Sequence, residues 1–389
     1  MISFDNTEIA FQGKTKKDLN RAYWLFKLVS NNTVVKLSPI LLNIALFLRL
    51  PILGLIKSTI YKHFCGGESI TDSQKAIDEL ARYQIGTILD YSVEGKETEA
   101  DFDRGMHETI ASIKRAKGDD KIPFSVFKPT GVGRFALLQK VNSKQNLTLA
   151  EEKEYQKVKE RIQNICQTAH DLDVPLFIDA EESWIQNAID DLAQEMMQLF
   201  NTKKAIIYNT LQMYRWDRLD YLKQCYAHAE DKQYFLGLKL VRGAYMEKER
   251  ERAEKMGYPS PIQKDKNNTD RDYDLAISFC VENIHRIALC AGTHNEESSR
   301  KLTELLEQKG IDKNDSRIYF SQLLGMSDHI SYNLSHQGFN VAKYVPYGPV
   351  KEVMPYLIRR AEENTSIAGQ TGRELSLIIK EKQRRIACQ

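Results

Sequence analysis

The chain has 389 residues, 42% of them hydrophobic, and its 55 basic and 53 acidic residues give a net charge of +2. This length allows one large domain or two ordinary ones, and the balanced charge gives no electrostatic case for nucleic acid as a partner. Six scattered cysteines without a C-x-x-C pair are typical of reduced thiols, and eight histidines without an H-E-x-x-H pattern predict no metal site.

Residues 1–85 are predicted to form a helical region, with hydrophobic segments near 22–29, 40–48 and 76–83. The first twenty residues are polar and mixed in charge, so they show no signal peptide.

The segment 37–60 is strongly apolar, but Arg49 and Pro51 interrupt it. No run within it therefore reaches the roughly 18 apolar residues that a membrane-spanning helix needs. Two interpretations are open. The segment forms helices that pack on the main domain, or it forms an interfacial helix whose basic residues face anionic head groups. Those basic residues are Lys36, Arg49, Lys57 and Lys62.

From residue 86 onward, short β-branched or aromatic runs alternate with stretches of helical periodicity. The predicted strands are 87–91, 124–127, 176–178, 205–208, 235–241, 287–290, 317–320 and 341–345. The predicted helices are 97–117, 151–171, 183–200, 214–229, 272–285, 296–309, 326–337 and 350–366, which would be the last helix.

Eight such units in about 280 residues favour the α/β class and a (β/α)8 barrel. A doubly wound open sheet is the alternative, but no G-x-G-x-x-G follows the first strand. The predicted domains are the helical region 1–85, the barrel 86–370 and a C-terminal tail 371–389.

Polar residues close all eight predicted strands. They are Asp90, Lys128, Asp179, Gln212, Arg242, the run Thr293-His294-Asn295, Gln322 and Tyr344. Each one alone is explained by a helix cap or a turn, and we expect that role for Asp90 and Asn295. Together they predict a polar ring, because active sites of such barrels lie at the carboxyl ends of the strands.

Two segments at these strand ends contain several charged side chains that could bind a ligand. In Lys239-Leu240-Val241-Arg242-Gly243-Ala244-Tyr245, the glycine lets the backbone approach a ligand closely and the basic residues bring positive charge near it. In the second segment, Asp179 closes a strand, whereas Glu181 and Glu182 are explained by the dipole of the helix that follows. A strand-end turn with incidental charges is the alternative interpretation of the first segment.

Near the C-terminus, Tyr344-Val345-Pro346-Tyr347-Gly348-Pro349 leads into a helix that contains Tyr356, Arg359 and Arg360. Adjacent helical residues point roughly 100° apart, so the two arginines would hold a small carboxylate from two sides. The alternative is a solvated helix face on which Glu362 and Glu363 are their salt-bridge partners.

These motifs, in this order, resemble the proline dehydrogenase family, in particular its monofunctional, mitochondrial-like branch. The resemblance covers about 75–370 of the chain. It implies a distorted (β/α)8 barrel with the last helix over its mouth, and FAD as the cofactor. It also implies oxidation of L-proline to 1-pyrroline-5-carboxylate, with hydride transfer to flavin N5 and electrons passed on to a quinone.

The resemblance also implies roles for individual residues. Arg359 and Arg360 would clamp the proline carboxylate, and Lys128 would add a third positive charge and pair with Asp179. The residues walling the pyrrolidine ring would be Ala244, Tyr245, Leu324, Tyr344 and Tyr356. The residues holding FAD would be Gln212, Lys239, Val241, Arg242, Thr293, His294, Asn295 and Glu363. Some bacterial members have arginine at the position of Lys239, where lysine supplies a positive charge but no bidentate fork.

Three alternatives stay open at this point: a 4-hydroxyproline dehydrogenase, a non-flavin barrel lyase or aldolase, and a non-catalytic membrane module. The expected partners are L-proline, a membrane quinone, a membrane surface contacted through 37–60 and, functionally, a pyrroline-5-carboxylate dehydrogenase. The expected location is the cytoplasm or the inner face of the cytoplasmic membrane, or the matrix side of the mitochondrial membrane in a eukaryote.

Overall fold

The computed structural model describes residues 2–29, 52–93, 95, 97–366 and 370–388. Its eight strands form one closed barrel in chain order, and the strand pairs from β1 to β7 are parallel. The strands are β1 Ile85–Tyr91, β2 Phe124–Phe127, β3 Leu176–Ile178, β4 Ile207–Gln212, β5 Leu236–Val241, β6 Ile287–Gly292, β7 Ile318–Leu323 and β8 Val341–Tyr347. The predicted (β/α)8 barrel is confirmed.

Helices precede the barrel, alternate with its strands and follow it. Before β1 they are Thr7–Ala10, Lys16–Val29, Ile52–Ile56, Lys62–Phe64 and Gln74–Ala81, with a π-helical segment at Lys57–Tyr61. Between β1 and β5 they are Glu99–Ala116, Phe135–Asn142, Leu149–Asp171, Ser183–Phe200 and Arg218–Lys232, with a 3₁₀ turn at Pro129–Gly131. After β5 they are Met246–Met256, Lys266–Glu282, Glu296–Lys309, Asp328–His336, Met354–Ser366 and Gln370–Ala387.

Side-chain caps fix where several of these helices begin. Thr148 forms a capping box with Glu151, in which each side chain accepts a hydrogen bond from the other residue's backbone N–H. Asn295 accepts from Ser298 N at 3.0 Å, so its predicted role as a helix cap is confirmed. Such caps satisfy N–H groups that have no partner inside the helix.

An aromatic layer fills part of the barrel interior. The ring of Phe124 stacks on that of Phe177 at a centroid distance of 4.4 Å and meets Tyr208 and Tyr319 edge-on at 5.5 and 4.8 Å. Inward-facing side chains from several strands form such layers in these barrels. The Lys239 ammonium lies 5.1 Å from the Phe177 ring centroid, so a charged group contacts this layer directly.

Several predictions of local structure are wrong. The helices Phe135–Asn142 and Met246–Met256 were not predicted. The helix Gln370–Ala387 occupies most of the predicted tail 371–389, so 350–366 is not the last helix. Asp90 is not a turn former, because it lies inside β1 and is buried.

The chain divides into two compact units. The first consists of Met1–Thr87, Ser92–Glu94 and Gln322–Gln389, and the second of Ile88–Tyr91 and Gly95–Ser321. The predicted boundaries at residues 85 and 370 stay a prediction.

Within the first unit, two apolar clusters tie the N-terminal helices to C-terminal segments. One joins Tyr61 and Phe64 to Val353 and Leu357. The other is built from residues of three helices, namely Ala10, Leu19, Ala22, Phe26, Leu377 and Ile378, together with Phe11, which follows the first helix. Among the described residues, no helix is both long and apolar enough to cross a bilayer. Residues 37–51 of the apolar segment lie outside the described residues.

Candidate active site

The first charged pair lies at the ends of β1 and β2. Lys128 Nζ donates to both carboxylate oxygens of Asp90, at 3.3 and 3.4 Å. The side chains of Lys128 and Asp90 are 17% and 6% exposed. A pair this deeply buried is screened little by water, so it contributes a defined local field.

The second charged pair crosses the interior from β3 to β5. The Lys239 ammonium donates to the carboxylate of Asp179, and Lys239 is buried. The register pairs Phe127 with Ile178, which places Lys128 and Asp179 side by side at the ends of neighbouring strands. The direct pairing of Lys128 with Asp179 stays a prediction, since the ion pairs described at these residues are those with Asp90 and Lys239.

Glu181 links the loop after β2 to the loop after β3. Its carboxyl group accepts from the backbone nitrogen of Thr130 at 3.0 Å, and its second oxygen lies 2.5 Å from the Thr130 hydroxyl. Burial, reinforced by the nearby Glu182 carboxylate, raises the pKa of Glu181 to about 8. The carboxyl group is therefore mostly protonated at pH 7, and complementing a helix dipole does not describe its role.

Gln212 ends β4 with a buried amide that is only partly satisfied. Its Nε2 donates to the backbone oxygen of Glu181 at 2.6 Å and to the Tyr214 hydroxyl at 2.8 Å. Its Oε1 is buried and accepts no hydrogen bond from the described residues. A buried amide oxygen without a donor is costly, so this atom marks a place where a ligand N–H or O–H would fit.

A third group of residues surrounds Arg242, just beyond β5. Its guanidinium donates to Asp270 and, at 2.6 Å, to the Ser298 hydroxyl, and it stacks on Tyr273 at 3.8 Å from the ring centroid. Asn295 caps the helix that carries Ser298, so Arg242 and the loop after β6 are brought together. In that loop Thr293 Oγ1 accepts from Asn295 N at 3.1 Å.

The remaining predicted residues of this unit lie near these groups along the chain. Val241 is paired with Gln212 in the sheet register. Ala244, Tyr245 and His294 are partly buried. Gly243 has φ +92° and open space where a Cβ would lie, which leaves room for a ligand close to the backbone.

The first unit contains the other predicted residues. Leu324 donates its backbone N–H to the Tyr344 carbonyl at 2.9 Å, so the segment directly after β7 is bonded to the middle of β8. Tyr344 was predicted to close its strand, but β8 continues to Tyr347. On the helix Met354–Ser366, the Arg360 guanidinium lies 5.2 Å from the Tyr356 ring centroid, and both residues are buried. Arg359 is partly buried on the same helix, and Glu363 lies on that helix too.

Sequence reasoning placed Asp90 in the polar ring but interpreted it as a cap or turn former, and it explained Glu181 by a helix dipole. It missed Thr130 and Glu249 as members of these networks. Glu249 is fully buried in the helix Met246–Met256, and its carboxylate accepts from Ser183 N at 2.6 Å and from the Ser183 hydroxyl at 2.7 Å. For Glu181, the available signal was the pair Glu181-Glu182, which lies three and four residues after the end of β3. Among the described residues, no group of three or more His, Cys, Asp or Glu side chains is placed to hold a metal ion.

The sequence of this chain is similar to those of known proteins. A family model described as "Proline dehydrogenase" matches residues 73–373. "Carbapenem antibiotics biosynthesis protein CarD" of Pectobacterium carotovorum is 35% identical over 86% of this chain and 86% of its own length. "Proline dehydrogenase 1, mitochondrial" of Dictyostelium discoideum is 32% identical over 98% of this chain and 75% of its own length.

Among solved structures, proline utilization A (PutA) of Bdellovibrio bacteriovorus, inactivated by N-propargylglycine, is similar with a TM-score of 0.72 at 20% identity. The match covers 92% of this chain but 38% of that protein. At this identity the likeness shows the fold alone. The match of the family model over most of the sequence shows more: the chain belongs to the proline dehydrogenase family.

Proposed function

We propose that the protein oxidises L-proline to 1-pyrroline-5-carboxylate, with FAD as the bound cofactor. The observation that carries this proposal is the family match over residues 73–373, which includes all the residues predicted to bind the substrate or the cofactor. Membership of this family favours an oxidation over a lyase or aldolase reaction. The non-catalytic alternative gives no reason for buried charges at successive strand ends.

The residues of the second unit fit a flavin dinucleotide. Gln212 Oε1 is a buried acceptor that lacks a donor among the described residues, and a flavin ring carries such donors. Gly243 leaves open space beside the backbone, and Arg242 and Lys239 supply positive charge that suits a pyrophosphate or an electron-rich ring. We assign Gln212, Lys239, Val241, Arg242, Thr293, His294 and Asn295 to holding FAD. For Glu363, in the first unit, this role stays a prediction from the family resemblance. When bound, FAD would supply the acceptor for the two electrons removed from the substrate.

The chain's own residues would bind and orient the amino acid. Arg359 and Arg360 would hold its carboxylate, since each guanidinium offers a planar fork of donors that matches two carboxylate oxygens. Tyr356 supports this arrangement by stacking against Arg360. Ala244, Tyr245, Leu324 and Tyr344 would exclude water from around the apolar ring. Orientation of this kind converts an encounter into a reactive geometry and is the main contribution that we assign to the protein.

Lys128 and Lys239 would set the local field. Both ammonium groups are shielded from water and paired with carboxylates, so their charges are fixed in place before the substrate arrives. Lys128 would add positive charge for the carboxylate, and its partner Asp90 would hold its ammonium group in position. Among the described residues, we assign none as the base for the substrate nitrogen.

We further propose that a membrane quinone receives the electrons and that the apolar segment 37–60 contacts the membrane. A quinone is itself a lipid-soluble molecule, so a surface that binds a bilayer would bring the protein to its acceptor. A pyrroline-5-carboxylate dehydrogenase would then consume the product.

Absorbance spectroscopy of the purified protein tests the central proposal. We expect the flavin bands of a bound, non-covalent FAD, and we expect anaerobic L-proline to bleach them. D-Proline serves as the matched control, because the same functional groups in the mirror arrangement should not react. A preparation without flavin absorbance that also takes up no added FAD would overturn the cofactor assignment. A flavoprotein that L-proline does not bleach would overturn the substrate assignment.

A further inference from the structure

Lys343 is a fully buried lysine in β8, directly before Tyr344. Its ammonium group donates to the carbonyls of Leu323 and Met326, at 3.3 and 2.7 Å, and to the carboxylate of Asp328 at 2.7 Å. An ammonium group has three donors, and all three are used on the segment 323–328 that follows β7.

Two more side chains hold the same loop, the partly buried His63 and the buried Glu374. Burial lowers the pKa of His63 to about 4, so the imidazole is neutral at pH 7. Its Nε2 lies 2.8 Å from the Gly325 carbonyl, and because a carbonyl only accepts, Nε2 must carry the proton and donate. The buried Glu374 carboxyl group accepts from the backbone nitrogen of Ser327.

The backbone of this loop needs such support. Gly325 has φ +77° and Ser327 has φ +51°, the left-handed region that residues other than glycine occupy at a cost. A Cβ on Gly325 would lie 2.4 Å from the His63 carbonyl oxygen, so the loop is also closely packed there. Hydrogen bonds from polar side chains outside the loop, and not local backbone preference, therefore hold residues 323–328 in position.

The loop contains Leu324, whose backbone nitrogen donates to the Tyr344 carbonyl at 2.9 Å. Lys343 thus directly precedes Tyr344, which is predicted to contact the substrate ring. Through its three hydrogen bonds it also holds the loop that carries Leu324, a second residue predicted to contact that ring. We infer that Lys343 is a positioning residue that fixes the spacing of Leu324 and Tyr344, and that it thereby sets how strongly the pocket prefers proline over 4-hydroxyproline. This inference rests on the proposed function.

A purely stabilising ion pair would be a simpler role for Lys343. Asp328, however, has a second cationic partner, because Lys14 Nζ lies 3.2 Å from its other oxygen. The two carbonyl contacts are not part of an ion pair at all, and they lie on either side of Leu324 and Gly325. These contacts constrain the path of the backbone, which charge neutralisation alone does not require.

Steady-state kinetics of Lys343→Met on L-proline and on trans-4-hydroxy-L-proline tests the inference. Methionine keeps the length of the side chain and removes all three donors, while Lys14 still neutralises Asp328. We expect the ratio of kcat/KM for proline to kcat/KM for hydroxyproline to fall about tenfold, the order of discrimination that small changes in pocket shape produce. Flavin content per mole of protein should not change.

Two further variants separate positioning from stability. Gly325→Ala displaces the same loop without touching Lys343 and should also lower the ratio, which decides the matter even if Lys343→Met does not fold. Ile77→Ala removes buried apolar volume in the same unit, outside the loop and its anchors, and should lower the Tm without changing the ratio. The inference is overturned if both loop variants keep the wild-type ratio or if Ile77→Ala lowers it equally. A wild-type protein that does not oxidise proline would overturn the proposed function and this inference with it.

Discussion

The Glu181 carboxyl group is joined to Thr130 by two hydrogen bonds, one from the backbone nitrogen at 3.0 Å and one with the hydroxyl at 2.5 Å. Thr130 lies two residues after Lys128, and the Glu181 carbonyl in turn accepts from Gln212 at 2.6 Å. One buried residue therefore connects a predicted substrate-binding loop to a predicted cofactor-binding strand.

The protonation of Glu181 predicts a pH dependence of stability. Its pKa is raised from 4.5 to about 8, so between these values the folded state binds more protons than the unfolded state and stability falls as pH rises. Glu181→Gln mimics the neutral carboxyl, with an oxygen for Thr130 N and an amide donor for the hydroxyl. We expect its Tm to fall less than that of the wild type between pH 5 and pH 9. Glu181→Ala should lose about 1–3 kcal/mol at pH 6, because Thr130 loses its acceptor. Parallel pH slopes for wild type and Glu181→Gln would contradict a neutral Glu181.

The arginine pair predicts a selective loss of substrate binding. Arg359→Met and Arg360→Met should each lower kcat/KM for proline by roughly 10- to 100-fold, because each removes a charge-assisted contact to the carboxylate. The flavin absorbance should remain. Arg373→Met is the matched control, since Arg373 pairs with Asp5 and has no predicted role. Wild-type efficiency in either test variant would show that the carboxylate is bound elsewhere.

The unsatisfied amide oxygen of Gln212 leads us to expect that replacing this residue weakens cofactor binding. Gln212→Leu removes the buried Oε1 and should weaken FAD binding on the order of tenfold, measured by titrating apoprotein with FAD. Tyr214→Phe is the control, because it removes one partner of Gln212 Nε2 and leaves Oε1 in place. Equal FAD affinity in Gln212→Leu and the wild type would place the flavin away from the end of β4.

The next prediction concerns Tyr344 and the preference of the enzyme for proline over 4-hydroxyproline. The resemblance places this tyrosine against the ring carbon that carries the additional hydroxyl, and the residue is buried in the middle of β8. Steric crowding of one hydroxyl gives a preference of a few kcal/mol at most. Proline should have the higher kcat/KM, and Tyr344→Ser should narrow the difference mainly by losing proline activity. Better oxidation of hydroxyproline by the unmodified enzyme would make the substrate assignment wrong.

The apolar segment 37–60 predicts reversible binding to anionic, quinone-containing liposomes. Its basic residues should make that binding weaken as salt is added, since screening shortens the range of electrostatic attraction. Flotation at low and high ionic strength measures this directly, with liposomes of neutral lipid as the control. No association at low ionic strength would favour packing of these residues on the rest of the chain.

Those parts of the fold that depend on apolar runs could be predicted from sequence. The strand 176–178 and the helix 183–200 agree with the structure to the residue, because an apolar run is bounded by Pro175 and Asp179 and the helix has regular apolar periodicity. The helix Met246–Met256 was missed because its sequence is almost entirely charged and buries only Glu249 and Ala253.

The residues at the strand ends could likewise be predicted from position, whereas the pairing of Lys128 with Asp90 could not. The contact of Lys128 with Asp90 was not expected, because Asp90 was interpreted as a cap or turn former. The pairing of Lys128 with Asp179 stays a prediction. Which carboxylate an ammonium group meets depends on the tilt and register of neighbouring strands, which residue types do not specify. Nothing in the sequence indicated that Lys343 is buried, because a single lysine in a strand is ordinarily exposed.

The positions of the cysteines allow unfolding of the protein to be measured by thiol labelling. Five of the six are buried and Cys388 is exposed. Burial also raises the pKa of Cys225 to about 12 and of Cys290 to about 11, so these sulfurs carry almost no reactive thiolate in the folded state. A maleimide dye added to the native protein would therefore attach at one position, beside the end of the helix Gln370–Ala387. As denaturant is added, unfolded molecules would take up dye at the five buried cysteines as well. Mass spectrometry would then separate folded molecules from unfolded ones by the mass of dye attached to each.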